Sequence, residues 1–231
     1  AIDPVGDPAS WGSAIDRWMH QVRRYGWIPA AISVSEDGAR AFARRGLGVI
    51  RMGDEAILEV SRFSLNNTSL TEVRHAHQRV RKAGYTLKIC RHRELSPEQL
   101  HEVENNVNAW RHGKVERGFS MALNRLSDPA DGRNLLVSAH DSAGTMVALL
   151  SFVPWGRTGI SLDVMRRSPD SPNGIVEYMV AQLMEDAPDY GITRVSLNFA
   201  MFRHVYENAD QFGANAWSRF ASRSLGVLDR F

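Results

Sequence analysis

From Gly159 to Arg166 the chain alternates, with Ser161 and Asp163 on one side and Leu162 and Val164 on the other. The same period of two returns from Ile192 to Asn198, where Ser196 and Asn198 oppose Val195 and Leu197. Between these segments the polar turn Pro172-Asn-Gly174 leads into a run from Ile175 to Asp186 whose apolar positions Ile175, Met179 and Leu183 fall at helical spacing. The pattern predicts strand, turn, amphipathic helix and strand. Two polar strips carried on apolar strands predict a lined cleft.

Other periodic segments extend this order toward the N-terminus. Ile15, Trp18, Met19 and Val22 mark a helix from Trp11 to Tyr25. Trp27 to Val34 reads as a strand, and Ser35 followed by Glu36 and Asp37 opens a short helix to Arg45 that Gly46 can close. Val49 to Met52 and Ala56 to Val60 read as the arms of a hairpin, with Gly53 and Asp54 in its turn. Val73, Ala76, Val80 and Ala83 line a helix from Leu70 to Ala83, followed by Gly84 and a strand from Tyr85 to Arg91. Ser96-Pro97-Glu98-Gln99 combines a capping serine, a proline in the first turn and a glutamine three residues after the cap, so a helix starts there and reaches Trp110. Three strands follow, Asn134 to Asp141, Thr145 to Val153 and Gly159 to Met165, as an antiparallel meander. A meander followed by helix and strand is the order of an N-acetyltransferase-like domain, and a smaller α/β unit precedes it.

Composition narrows the class. With 43% hydrophobic and 23% charged residues, wholesale disorder is excluded. Of 28 basic residues only Lys82, Lys88 and Lys114 are lysines, so the cationic chemistry is guanidinium, which suits bidentate phosphate contacts or else reflects genome composition. Cys90 stands alone, which excludes an internal disulfide or a multi-thiolate metal cluster. The apolar run from Met146 to Trp155 falls short of the roughly 20 residues that cross a bilayer. Ala1 to Asp7 shows no signal peptide, so a soluble, cytoplasmic chain is expected.

Asp163 and Arg166 stand as Asp-x-x-Arg at a strand end. Positions three apart on an ideal strand point to opposite faces, so a shared site requires the strand to have ended before Arg166. Crevices in open α/β sheets lie at carboxyl ends of strands, which favours a site; the competing reading is a salt bridge that pins the turn. Glu177, in the first turn of the following helix, gains ~0.3–1 kcal/mol from the helix dipole, a sufficient structural reason for a carboxylate there. The same helix start offers N–H groups to an anion, which makes Asn173 and Gly174 candidate ligand contacts. Between Arg167 and Gly174, however, stand two prolines, an acidic residue and a single glycine, so a pyrophosphate cradle lacks donors and coenzyme A is disfavoured. No cofactor is expected.

Arg74, Arg79, Arg81 and Lys82, with His75, crowd one helix, and Arg91, His92 and Arg93 follow it. A solvated face explains them, as do nucleic-acid phosphates or an anionic membrane surface. Glu116, in the charged stretch from Arg111 to Arg117, is a further candidate carboxylate. His75 and His77 are two apart on a helix and do not face each other, so no metal site is expected. No Gly-x-Ser-x-Gly motif appears, which points to direct rather than covalent transfer.

Taken together, Asp3-Pro4-Val5 leading into Gly6-Asp7-Pro8, Gly53-Asp54-Glu55-Ala56, Glu116-Arg-Gly-Phe-Ser-Met121, Ser161-Leu-Asp-Val-Met-Arg166, Pro172-Asn-Gly174 and Ser196-Leu-Asn198 resemble the aminoacyl-phosphatidylglycerol synthases. The nearest resemblance is to the lysyl-phosphatidylglycerol synthase portion of proteins fused to a lysyl-tRNA synthetase. It implies an α/β fold of tandem N-acetyltransferase-like mixed sheets flanked by helices, divided here into residues 1–95 and a site-bearing 96–231. It also implies transfer of an aminoacyl group, lysyl before alanyl, from aminoacyl-tRNA to the glycerol hydroxyl of phosphatidylglycerol at the cytoplasmic membrane face. By resemblance Asp163 and Arg166 are catalytic and Glu116 and Glu177 are candidates for the lysyl ammonium; Asn173 and Gly174 at the helix start and Ser196 and Asn198 on the polar strip are the candidate substrate contacts. Many family members carry a membrane-spanning portion and further strands before the Gly-Asp-Pro region. Two alternatives stay open at this point: transfer to a peptidoglycan-type amine, and a non-catalytic domain that docks tRNA or anionic lipid.

Overall fold

A computed structural model describes residues 3–50, 53–110, 126 and 128–201. They belong to two compact units, one ending at Met52 and one beginning at Gly53. In the first, α1 (Trp11–Arg24) and α2 (Glu36–Ala43) bury Ile15, Val22 and Phe42, with the Trp18 ring edge-on to Phe42 at 5.9 Å. The Asp-Pro-Val-Gly-Asp-Pro motif is structural here. Asp7 Oδ1 accepts from Ala9 N ahead of α1, and Asp3 Oδ1 accepts from Ser35 N, both at 2.9 Å, while Ser35 caps α2. Trp27 to Val34, expected as a strand, is not one: none of the described strands pairs with it, and an unpaired segment has no ladder to hold it.

The second unit is built on a six-stranded sheet of β1 (Gly53–Glu59), β2 (Thr86–Arg91), β3 (Leu135–His140), β4 (Met146–Trp155), β5 (Gly159–Arg167) and β6 (Arg194–Met201), in the order β1-β6-β5-β4-β3-β2. Neighbours are antiparallel except β5 and β6, which are parallel and joined through α5 (Ile175–Asp186), as a parallel pair requires. The expected α/β class, with a mixed sheet and flanking helices, is what is found. Gly53 and Asp54, expected in a hairpin turn, instead begin β1, whose partner is β6 at the far end of the chain. Local alternation cannot reveal a partner about 140 residues away. The expected division at residue 95 would cut this sheet, since β1 and β2 lie before it and the other four strands after it.

Each face of the sheet has its own cover. On one, α5 and α3 (Thr71–Lys82) enclose Val80, Val137, Leu150, Phe152, Leu162 and Val195. On the other, α4 (Pro97–Ala109), started by the expected Ser96/Gln99 capping box, contributes Val107 to a core of Cys90, Leu136, Leu149 and Val164. The edge strand β2 is sealed by two tyrosines: Tyr178 donates from its hydroxyl to Tyr85 O and Tyr190 to Ile89 O, at 3.2 and 3.1 Å.

Candidate functional site

The alternation of β5 breaks at one residue. Leu162 lies opposite Phe152 but Val164 lies opposite Ser151, so Asp163 is an extra residue in a β-bulge. Leu162 packs under α3 and α5, whereas Val164 packs under α4, as does Leu149, the residue opposite Arg166. Directly opposite residues share a face, so Arg166 projects to the α4 side. Asp163 sits beside Val164, within electrostatic reach of the α4-side His92. The bulge thus brings to one face two side chains that ideal alternation separates. The strand does not end before Arg166, as the sequence required for a shared site; it runs on to Arg167 with its phase reset.

The neighbouring strand breaks at the same level. Parallel pairing of β5 with β6 stops at Ser161 opposite Ser196, although both strands continue. β6 has an extra residue between Ser196 and Phe199, and Asn198 there adopts φ 68°. An asparagine tolerates this left-handed conformation better than most residues. It turns the side chain toward β5, where Nδ2 donates to Leu162 O at 2.9 Å; the Asn198 N–H donates to Ser196 Oγ at 3.1 Å. Ser196, fully buried, donates in turn to Glu55 Oε1 at 2.6 Å. Side chains therefore hold together a fork that backbone pairing has left, and its rim carries Glu55, Ser196, Asn198 and Asp163.

Beneath this rim lies His92, 1% exposed, with Nε2 3.4 Å from Ser151 Oγ. Burial pushes its pKa below the ordinary histidine value, against the pull of Asp131 and Asp163 toward the charged form. A neutral imidazole within electrostatic reach of a carboxylate that is itself 8% exposed makes this a desolvated, polar environment. The shift also makes a stability prediction. The unfolded chain takes up a proton on His92 at a higher pH than the folded one, so stability falls as pH drops through about 6.5 and levels below the folded value. Melting temperatures of the protein and of His92→Gln across about pH 7.5 to 5.5 should show a flatter profile for the variant; parallel profiles would remove His92 as the titrating group. Cys90 is no nucleophile: burial raises its pKa, which disfavours the thiolate.

The chain is similar to known proteins. All 231 residues match the family model for the C-terminal part of phosphatidylglycerol lysyltransferase. The lysylphosphatidylglycerol biosynthesis bifunctional protein LysX of Mycobacterium avium (strain 104) is 51% identical over 217 residues, which is 94% of this chain and 18% of that protein. The LysX of Mycobacterium sp. (strain JLS) is 52% identical over 227 residues, again 94% of this chain and 20% of that protein. The chain belongs to the phosphatidylglycerol lysyltransferase C-terminal family. It spans about a fifth of the length of these curated relatives. Among solved structures, L-PGS from Bacillus licheniformis shares the fold at 22% identity and TM-score 0.75, covering 94% of this chain and 64% of that one. The C-terminal domain of an Agrobacterium fabrum protein does so at 19% identity and TM-score 0.77, covering 99% and 79%.

Within this family member the other expected site residues have varied places. Glu116 lies outside the described residues. Asn173 and Gly174 start α5, but their contacts are with α3: Arg79 donates to Asn173 O at 3.1 Å, and a Cβ on Gly174 would lie 2.8 Å from Ala76 Cβ. Glu177 is half-buried in the first turn of α5, on the helix that covers the face opposite Asp163 and Arg166. The basic row of α3 divides. Arg74 donates to Leu65 O at 3.0 Å and Arg79 to Asn173 O, so both tie loops to the helix, whereas Arg81 and Lys82 are exposed in its last turn. His77 is a packing residue, 3.2 Å from Gln182 Oε1 and against the Tyr178 ring.

Two residues at the fork were not singled out as site residues from the sequence. Glu55 falls between the expected turn at Gly53 and Asp54 and the strand from Ala56, and only the pairing of β1 with β6 places it beside Ser196. His92 was read as part of a basic cluster because Arg91 and Arg93 flank it; its burial beneath α4, opposite in character to its exposed neighbour Arg93, has no local signal.

Proposed function

We propose that this chain is the aminoacyl-transfer portion of a phosphatidylglycerol lysyltransferase, moving a lysyl group from lysyl-tRNA to a glycerol hydroxyl of phosphatidylglycerol. The observation that carries the reading is the bulge at Asp163, which sets a buried carboxylate and a guanidinium on one face of β5 at the fork with β6, in a chain that belongs to this family. The donor ester is already activated, so alignment, proton removal and charge stabilisation suffice. The lipid hydroxyl oxygen bonds to the ester carbonyl carbon as its proton passes to the Asp163 carboxylate. Arg166 offsets the negative charge gathering on the carbonyl oxygen. The bond to the tRNA ribose oxygen then breaks, and that oxygen takes the proton from Asp163. Glu55, on the rim, is a further candidate carboxylate for the lysyl ammonium alongside Glu116, whereas Glu177 lies on the helix of the opposite face.

The relatives named for lysylphosphatidylglycerol biosynthesis support lysine as the group transferred and phosphatidylglycerol as acceptor. The reaction takes place at the cytoplasmic face of the membrane, with a membrane-spanning portion and a lysyl-tRNA synthetase as parts of the longer protein. Among the described residues, no helix is long and apolar enough to cross a membrane. The test is to supply the protein with separately charged lysyl- and alanyl-tRNA and phosphatidylglycerol vesicles, then identify extracted lipids by mass spectrometry. Lysyl-phosphatidylglycerol is the expected product. Its absence with both donors, from a protein extended to its natural flanks, sinks the reading.

A further inference from the structure

At the end of β5 away from Arg166, the sheet forms a cleft of ≈ 140 Å³ whose lining includes Arg91, Arg93, Arg133 and Arg157. Its walls are fixed by backbone pairing. Arg93 N donates to Gly132 O at 3.2 Å and His92 N to Asn134 O at 3.0 Å, so the segments bearing Arg93 and Arg133 run side by side. The turn bearing Arg157 is tied down by Thr193 N to Thr158 O at 2.9 Å and by the two threonine hydroxyls at 2.8 Å. Arg91 is held between two carbonyls, donating to Arg133 O at 2.9 Å and Tyr190 O at 3.5 Å, and so is a stationary cation at the back of the cleft.

Positive charge predominates here over the nearby carboxylates Glu94 and Asp131. Glu94 is the carboxylate beside Arg91, and it accepts from the Arg91 backbone N–H at 2.9 Å. Among the described residues the ion pairs of Arg40, Arg45 and His101 involve none of these four arginines. Burial and the nearby Arg93 and Arg133 depress the pKa of Arg91, the mark of guanidiniums crowded against one another. Such crowding is unfavourable until an anion enters, and planar guanidiniums match phosphate oxygens bidentately.

We propose that this cleft is a docking site for the phosphodiester backbone of an RNA, separate from the fork where the chemistry occurs. The setting favours RNA over a lipid surface. A membrane-seated patch joins basic residues to exposed apolar ones, yet the large apolar side chains exposed among the described residues all lie at or before Ile50. The cleft itself offers guanidiniums without an aromatic platform, since Trp155, whose ring lies 4.7 Å from the Arg194 guanidinium, follows the lining Pro154 on the other face of β4, and a row of cations is what a phosphodiester backbone requires. The identity of the partner as RNA rests on the donor proposed above; the cleft and its charge do not.

The test is equilibrium binding of an unacylated transfer RNA transcript by fluorescence anisotropy over a salt series, using the protein and Arg133→Ala/Arg157→Ala. The double variant should lose about 10- to 100-fold in affinity at low salt, and its plot of log affinity against log salt should flatten by about 0.7–0.9 per lost phosphate contact. Arg133→Lys/Arg157→Lys should recover the slope, and sedimentation with phosphatidylglycerol vesicles should be the same for all three proteins. Unchanged RNA affinity and slope in a double variant that melts like the parent overturns the proposal, as does a loss confined to vesicles. Because the RNA carries no amino acid, an absence of lipid product in the transfer assay would leave this result standing, and unaltered RNA binding would leave the transfer reaction standing.

Discussion

Asp163→Asn should lower the rate of lysyl transfer to phosphatidylglycerol by about 10²- to 10⁴-fold, the span associated with loss of a positioned general base. The substitution keeps the shape of the side chain and takes away its basicity. Asp163 is held as the extra residue of a bulge rather than in a regular ladder position, and it lies 8% exposed near the buried His92. An amide of the same size fits that place, so the melting temperature should stay within a few degrees, about 1 kcal/mol for a unit of this size. Arg166→Lys should cost about 10²-fold or more, because an ammonium does not reproduce the planar fork of a guanidinium facing a developing oxyanion. Both losses should appear in kcat, since the interactions are made in the transition state. A drop in KM performance alone, with kcat intact, would assign these residues to binding and return the site to the open alternatives.

The second large effect is on stability. Gly174→Val should destabilise the protein by about 2–5 kcal/mol, combining ~1–2 kcal/mol for a left-handed residue with ~1–3 kcal/mol for overpacking. Gly174 has φ 90° at the start of α5, and a Cβ there would lie 2.8 Å from Ala76 Cβ and 3.5 Å from Ala76 Cα. Arg79 could swing aside; Ala76 cannot, because its Cβ is fixed to the α3 backbone. Differential scanning calorimetry should record a fall of roughly 5–15 °C. Gly144→Ala is the control. It also has positive φ, 82°, but nothing lies within 4 Å of the added carbon, so only the backbone cost of ~1–2 kcal/mol applies. Equal losses at the two positions would show that the close approach of α3 to α5 contributes nothing.

Gly174 illustrates what a motif can conceal. Pro172-Asn-Gly174 forms part of the family resemblance and invites a ligand at the helix start, yet in the fold the glycine is required by the helix that crosses it. The Asp-Pro-Val-Gly-Asp-Pro motif is similar, since Asp7 caps the 3-10 turn ahead of α1 and Asp3 holds the N–H of Ser35, the residue that caps α2. Asp163 and Arg166 are the converse. Their residue types suggested a site, while their spacing on a regular strand argued against a shared face, and the bulge removed the objection.

What the sequence determined by itself is what short-range physics writes locally. The period of two gave the meander β3, β4 and β5; the period of 3.6 gave α1, α3 and α5; the Ser96/Gln99 box gave the start of α4. Those signals depend on residues within a turn or two of one another. Tertiary structure alone decided the pairing of β1 with β6, the phase shift at Asp163, the fork bridged by Asn198, and the burial of His92. Each depends on what lies across a strand or beneath a helix from a distant part of the chain, and a hydrogen-bond register or a desolvated imidazole leaves no mark on the residues beside it.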